Sequence, residues 1–113
     1  MELNEYQKRA MTTCTESSRN FSYMALNLVG EVGEFMSKVA KAIRKEDGTI
    51  DDNELFVIGS KHELKQEAGD IMWQISGLCT IMGWSLEEVC QSNLDKLASR
   101  KERDVIIGDG DNR

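Results

Sequence analysis

Two acidic pairs of equal spacing, Glu31 with Glu34 and Glu67 with Asp70, are the residues of this chain best suited to chemistry. Each pair lies in a segment of helical periodicity, and residues three apart on a helix project from one face. If the two helices pack antiparallel with those faces opposed, four carboxylates converge on one small volume. An all-oxygen donor set suits a hard divalent cation, Mg²⁺ or Mn²⁺, rather than Zn²⁺, which favours His and Cys. The competing reading is a pair of solvated helix faces, but the surroundings argue against it. Glu31 and Glu34 sit inside the mostly apolar run from Leu28 to Met36, and Glu67 and Asp70 border Ile71-Met72-Trp73-Gln74-Ile75. Carboxylates beside core positions are costly unless paired. Two like charges about 6 Å apart at an effective dielectric near 20 repel by roughly 3 kcal/mol, so four of them call for a cation.

The ordered motifs Gly30-Glu31-Val32-Gly33-Glu34 and Glu63-Leu64-Lys65-Gln66-Glu67-Ala68-Gly69-Asp70-Ile71-Met72-Trp73 resemble the E-x-x-E, spacer, E-x-x-D signature of the MazG-like all-α nucleoside triphosphate pyrophosphohydrolases. Asn93-Leu94-Asp95-Lys96-Leu97-Ala98-Ser99-Arg100 and the closing Gly108-Asp109-Gly110-Asp111-Asn112-Arg113 resemble the end of that family, so the likeness runs from about Tyr6 to the C-terminus. Two positions depart from the pattern. Gly30 stands where many members carry a further Glu, and Asn27 where relatives often have Gly.

The resemblance implies hydrolysis of nucleoside triphosphates to the monophosphate and pyrophosphate, in nucleotide-pool control or removal of non-standard nucleotides. In that reading Glu31, Glu34, Glu67 and Asp70 hold Mg²⁺, with Mn²⁺ as a substitute, and either Glu31 or Glu34 is the general base. Phosphoribosyl-ATP and dUTP pyrophosphohydrolases share the motif set and remain open. So does a non-enzymatic helical interaction protein whose carboxylates only solvate one end of an oligomer.

Candidate substrate contacts surround the acidic set. Lys38, two turns beyond Glu31, either touches a phosphate or forms a simple ion pair. Asn93, Lys96 and Arg100 make a cationic stripe at i, i+3 and i+7, either solvated or the wall that receives phosphates. Trp73, a residue type more often core or interface than base-stacking, lies close to the acidic motif, and Arg113 ends a Gly- and Asp-rich tail that by composition, from about residue 104, reads as flexible. Glu63 reads as rim, Trp84 as core or interface. His62, the lone histidine, reads as a surface residue. One histidine cannot supply the paired Glu-x-x-His motifs of di-iron bundles.

These residues need helices to position them. The chain has 113 residues, no proline and few aromatics, which bounds it to one all-α domain, residues 1–113, a four-helix bundle-like unit. Periodicity places helices at about Asn4–Arg19, with Asn4 as N-cap, at Phe21–Arg44, ended by Glu46-Asp47-Gly48, and at Ser60–Met82. A fourth opens with the capping box Ser85-Leu86-Glu87-Glu88 and runs to about Arg103. Thr49 to Gly59 reads as a connection with room for a short turn of helix.

The third helix has apolar residues around much of its circumference. That predicts self-association, as a homodimer or dimer of dimers. A net charge of −6 argues against a basic nucleic-acid surface and would repel a triphosphate without bound cations. Cys14, Cys79 and Cys90 lack C-x-x-C spacing and read as reduced structural thiols. No leader or membrane-length apolar run is evident, so a soluble cytoplasmic protein is expected.

Overall fold

A computed structural model describes residues 1–45 and 60–113. Four α-helices are present among them: α1 (Leu3–Met11), α2 (Phe21–Lys45), α3 (Ser60–Met82) and α4 (Leu86–Glu102), with a 3-10 turn at Glu16–Ser18 between α1 and α2. The expected helix stop at Glu46-Asp47-Gly48 and the expected connection from Thr49 to Gly59 lie outside the described residues. The all-α expectation holds, and the starts and ends expected for α3 coincide with those found.

The first helix is shorter than its periodicity predicts. It stops at Met11 because the Thr12 and Thr13 hydroxyls donate to the carbonyls of Arg9 (2.6 Å) and Ala10 (2.8 Å), local bonds that compete with continuing the helix. The Arg19 guanidinium then donates to the Met11 carbonyl at 3.3 Å, and Asn20 restarts the helix by capping the Tyr23 N–H at 2.8 Å.

Asn4 does not cap α1. Its side-chain oxygen instead accepts from the Glu87 N–H at 3.1 Å, at the start of α4. The neighbouring Gln7 oxygen accepts from the Leu86 N–H at 2.7 Å. The capping box completes the set: Ser85 Oγ accepts from the Glu88 N–H and Glu88 Oε1 accepts from the Ser85 N–H. All four N–H groups that a helix start leaves without a helical partner are therefore satisfied, two of them by α1.

The α2–α3 pair is the main packing unit, and α1 lies against α3. On α2 the seam follows Met24, Leu28, Glu31, Phe35, Lys38 and Ala42, a 3.5-residue repeat whose members are all at least half-buried. Met24 is fully buried, and a Cβ at Gly77 of α3 would overlap its thioether. Gly77 thus permits the close approach of the two helices. Met11, Cys14 and Met24 form a small core, covered by Ala10, Trp73, Leu78 and Ile81.

The apolar surface left over lies mostly on α2 rather than α3, on which Met72 and Met82 stay exposed. Sandwiched between α1 and α2, α3 buries Leu64 and Cys79. It is α2 that turns an apolar stripe outward, with Leu26 at 74% and Val29 at 72% exposure beside Val32 and Met36; Leu94 and Leu97 of α4 are exposed too. No helix among the described residues is long and apolar enough to cross a membrane.

Candidate metal centre

Because Glu31 falls on the α2 seam, packing carries its carboxylate toward α3. Glu67 and Asp70 lie on the facing side of α3, and one ligand atom from each of the three residues lies within 4.8 Å of the others. Ligand oxygens around Mg²⁺ sit about 2.1 Å from the ion, hence up to about 4.2 Å apart. Small side-chain adjustments therefore convert this cluster into a chelating set. Two of its oxygens, Glu31 Oε2 and Glu67 Oε2, are buried and have no hydrogen-bond partner among the described residues.

Glu34 is not in that group. At 100° per residue it stands about 60° around the helix from Glu31, which leaves it exposed. Its charge still reaches Glu31. Burial, then Glu34, Asp70 and Glu67 in that order, raise the Glu31 pKa above its ordinary value, opposed by a hydrogen bond from Asn27. Tyr6 of α1 closes another side: burial and then the Asp70 charge hold its phenol above the usual range.

Lys38 borders the cluster, its ammonium 3.7 Å from Glu67 Oε1 and 3.9 Å from Glu63 Oε2. The ion-pair reading of Lys38 is the one seen in this state, and Glu63 takes the exposed rim position expected of it. Trp73 is spent on packing. Its indole N–H donates to Thr13 Oγ1 (2.8 Å) and the Ala10 carbonyl (3.1 Å), and its ring covers the α1–α3 core. Its donor is thus engaged within the fold, while the ring stays partly exposed. His62 and Trp84 are exposed.

The stripe on α4 is gathered by the tail. Asp111 Oδ1 lies 3.3 Å from Lys96 Nζ and 3.2 Å from Arg100 Nη2, and Arg100 also donates to the Asp111 carbonyl at 3.1 Å. Arg100 is only 5% exposed as a result. Arg113 draws the same loop together through the carbonyls of Val105 (3.0 Å), Ile106 (3.2 Å) and Gly110. The segment that composition marks as flexible is therefore folded back on α4. Asn93 is exposed on the same helix. Among the described residues no hydrogen bond or ion pair joins this cationic group to Glu31, Glu67 or Asp70.

Sequence reasoning noted Asn27 only as a departure from the family pattern and gave Gln74 no role. Asn27 donates to Glu31 Oε1 at 3.5 Å and to Gln74 Oε1 at 2.9 Å, and Gln74 is 1% exposed. The signal was available, since each is an amide interrupting an otherwise apolar run.

The chain matches the model of the MazG nucleotide pyrophosphohydrolase domain over residues 19–104, and it belongs to that family. It is also similar to the Gene 37 protein of Mycobacterium phage L5, with 42% identity over 98 residues, covering 87% of this chain and 81% of the relative. No solved structure matches it.

Proposed function

We propose that this MazG-family hydrolase is a Mg²⁺-dependent nucleoside triphosphate pyrophosphohydrolase that releases a nucleoside monophosphate and pyrophosphate, serving nucleotide-pool control. The observation that carries the metal assignment is the pair of buried, partnerless oxygens on Glu31 and Glu67 beside Asp70. A buried anionic oxygen without a partner is expensive, and a hard divalent cation supplies the missing contact to all three carboxylates at once. Glu31, Glu67 and Asp70 would hold the metal, with Glu34 at its margin. When bound, Mg²⁺ offsets phosphate charge and lowers the pKa of a water molecule.

Glu34 is assigned as the general base, because it stands beside the cluster yet outside the converged oxygens and open to solvent. It takes a proton from the water that attacks the α-phosphorus as the α–β anhydride bond breaks and pyrophosphate leaves. Lys38, now paired with Glu67, would exchange that partner for a phosphate oxygen. Asn93, Lys96, Arg100 and Arg113 are proposed to receive the outer phosphates. A phosphate reaching Lys96 and Arg100 replaces Asp111.

The working form is a homodimer or homotetramer of a single domain spanning residues 1–113, supported by the outward apolar stripe of α2. A cytoplasmic location is consistent with three free cysteines. A pyrophosphate-release screen over canonical and modified ribo- and deoxyribonucleoside triphosphates, with Mg²⁺ or Mn²⁺ and with EDTA, tests the reading. Release that EDTA abolishes supports it; absence of release from every triphosphate overturns it.

A further inference from the structure

Gln74 is the odd residue of the α2–α3 seam, a fully buried amide beside the buried Met24 thioether. An apolar side chain of that size would pack there with no polar group to satisfy, whereas a buried amide costs free energy unless every partner is in place. Its partners lead to the metal centre. Gln74 Nε2 donates to the Met24 carbonyl at 3.4 Å and lies 3.2 Å from the Met24 sulfur. Gln74 Oε1 accepts from Asn27 Nδ2 at 2.9 Å, and the same Asn27 NH₂ group reaches Glu31 Oε1 at 3.5 Å.

The direction of this chain is fixed from one end. A backbone carbonyl can only accept, so the Met24 carbonyl requires the NH₂ side of Gln74. That turns the Gln74 oxygen toward Asn27, which must answer with its own NH₂. The second hydrogen of that NH₂ is then available only as a donor, and it lies on the Glu31 side. One carboxylate oxygen is thereby held, and the other, Glu31 Oε2, is left buried and partnerless.

We propose that Gln74 and Asn27 are positioning residues that act in series on Glu31, Gln74 orienting the Asn27 amide and Asn27 fixing the carboxylate so that its Oε2 is presented to a divalent cation. This rests on the metal-centre reading given above. Groups that orient a metal ligand from behind typically change affinity by 10- to 100-fold when removed.

Mn²⁺ binding to the full-length protein, measured by isothermal titration calorimetry, tests the proposal without reference to turnover. Asn27→Ala and Gln74→Leu should each raise the Kd for Mn²⁺ about tenfold. The double variant should be no weaker than the weaker single one, because the residues act in series. The metal-free melting temperature of Gln74→Leu should equal or exceed that of the parent, which a merely structural role for the amide would not allow; Gln74→Met serves if the leucine variant does not fold. An unchanged Kd in either single variant, or fully additive losses in the double, overturns the relay while leaving the metal centre standing. A parent protein that binds no Mn²⁺ removes the metal centre, and the relay with it.

Discussion

Glu31 carries opposing demands in one side chain. Burial and three neighbouring carboxylates raise its pKa above the ordinary 4.5, and the Asn27 amide opposes them by favouring ionisation. An acid with a raised folded pKa binds its proton more tightly folded than unfolded. Its contribution to stability is fully present below 4.5 and is lost as pH rises through the folded value. The metal-free protein should therefore melt higher as pH is lowered from neutrality toward that range, Glu31→Gln should flatten the rise, and Mg²⁺ should restore stability at neutral pH. A thermal profile identical in parent and variant refutes this. Activity follows the same residues: Glu34→Gln and Asp70→Asn should abolish pyrophosphate release while circular dichroism keeps its helical amplitude. Full turnover in both would dismiss the metal centre. Lys96→Ala removes one charge-assisted contact, worth about 1.5 to 3 kcal/mol, so kcat/KM should fall about ten- to more than a hundredfold with Mg²⁺-dependent stabilisation intact.

Among the elements, α1 has a role out of proportion to its nine residues. It lies before the stretch matched by the family model, yet Asn4 and Gln7 satisfy two N–H groups at the start of α4, and Gln7 also donates to Thr80 Oγ1 and to the Trp84 carbonyl, both at 3.0 Å. Asn4→Ala should cost about 1 kcal/mol, as other lost caps do, and Gln7→Ala more, since it strands the Leu86 N–H as well; urea unfolding followed by circular dichroism measures both. Equal midpoints for parent and variants would show that water replaces these caps freely. What was legible in the sequence divides along the same line. The capping box of α4 and the periods of α2 and α3 are local, so spacing alone located them. Glu31, Glu67 and Asp70 were legible because their spacing puts them on packing faces. Glu34 left the cluster because the seam advances four residues from Glu31, to Phe35, and a three-residue step stops one residue short of it. The reach of Asn4 to α4 and the pairing of Asn27 with Gln74 were not legible, although both amides of that pair stood out in apolar runs, since the partner of Asn27 is 47 residues away and is chosen by packing between helices.

At the scale of the whole molecule, the radius of gyration is 17.3 Å, against about 13 Å for a compact domain of this length. Leu26, Val29, Val32 and Met36 line the outer side of α2, and that surface invites a second copy. Sedimentation at micromolar concentration should give a mass above the monomer, and Leu26→Lys with Val29→Lys should return it to one chain; a monomeric parent protein overturns the expectation. The small core of Met11, Cys14 and Met24 then has a practical corollary. If self-association completes the burial of its helices, as proposed, the folding equilibrium contains protein concentration as a variable. Dilution acts on it as a mild denaturant: melting temperature should climb with each tenfold rise in concentration, and specific activity should decay when enzyme is assayed at the lowest concentrations and recover on adding inactive Asp70→Asn chains.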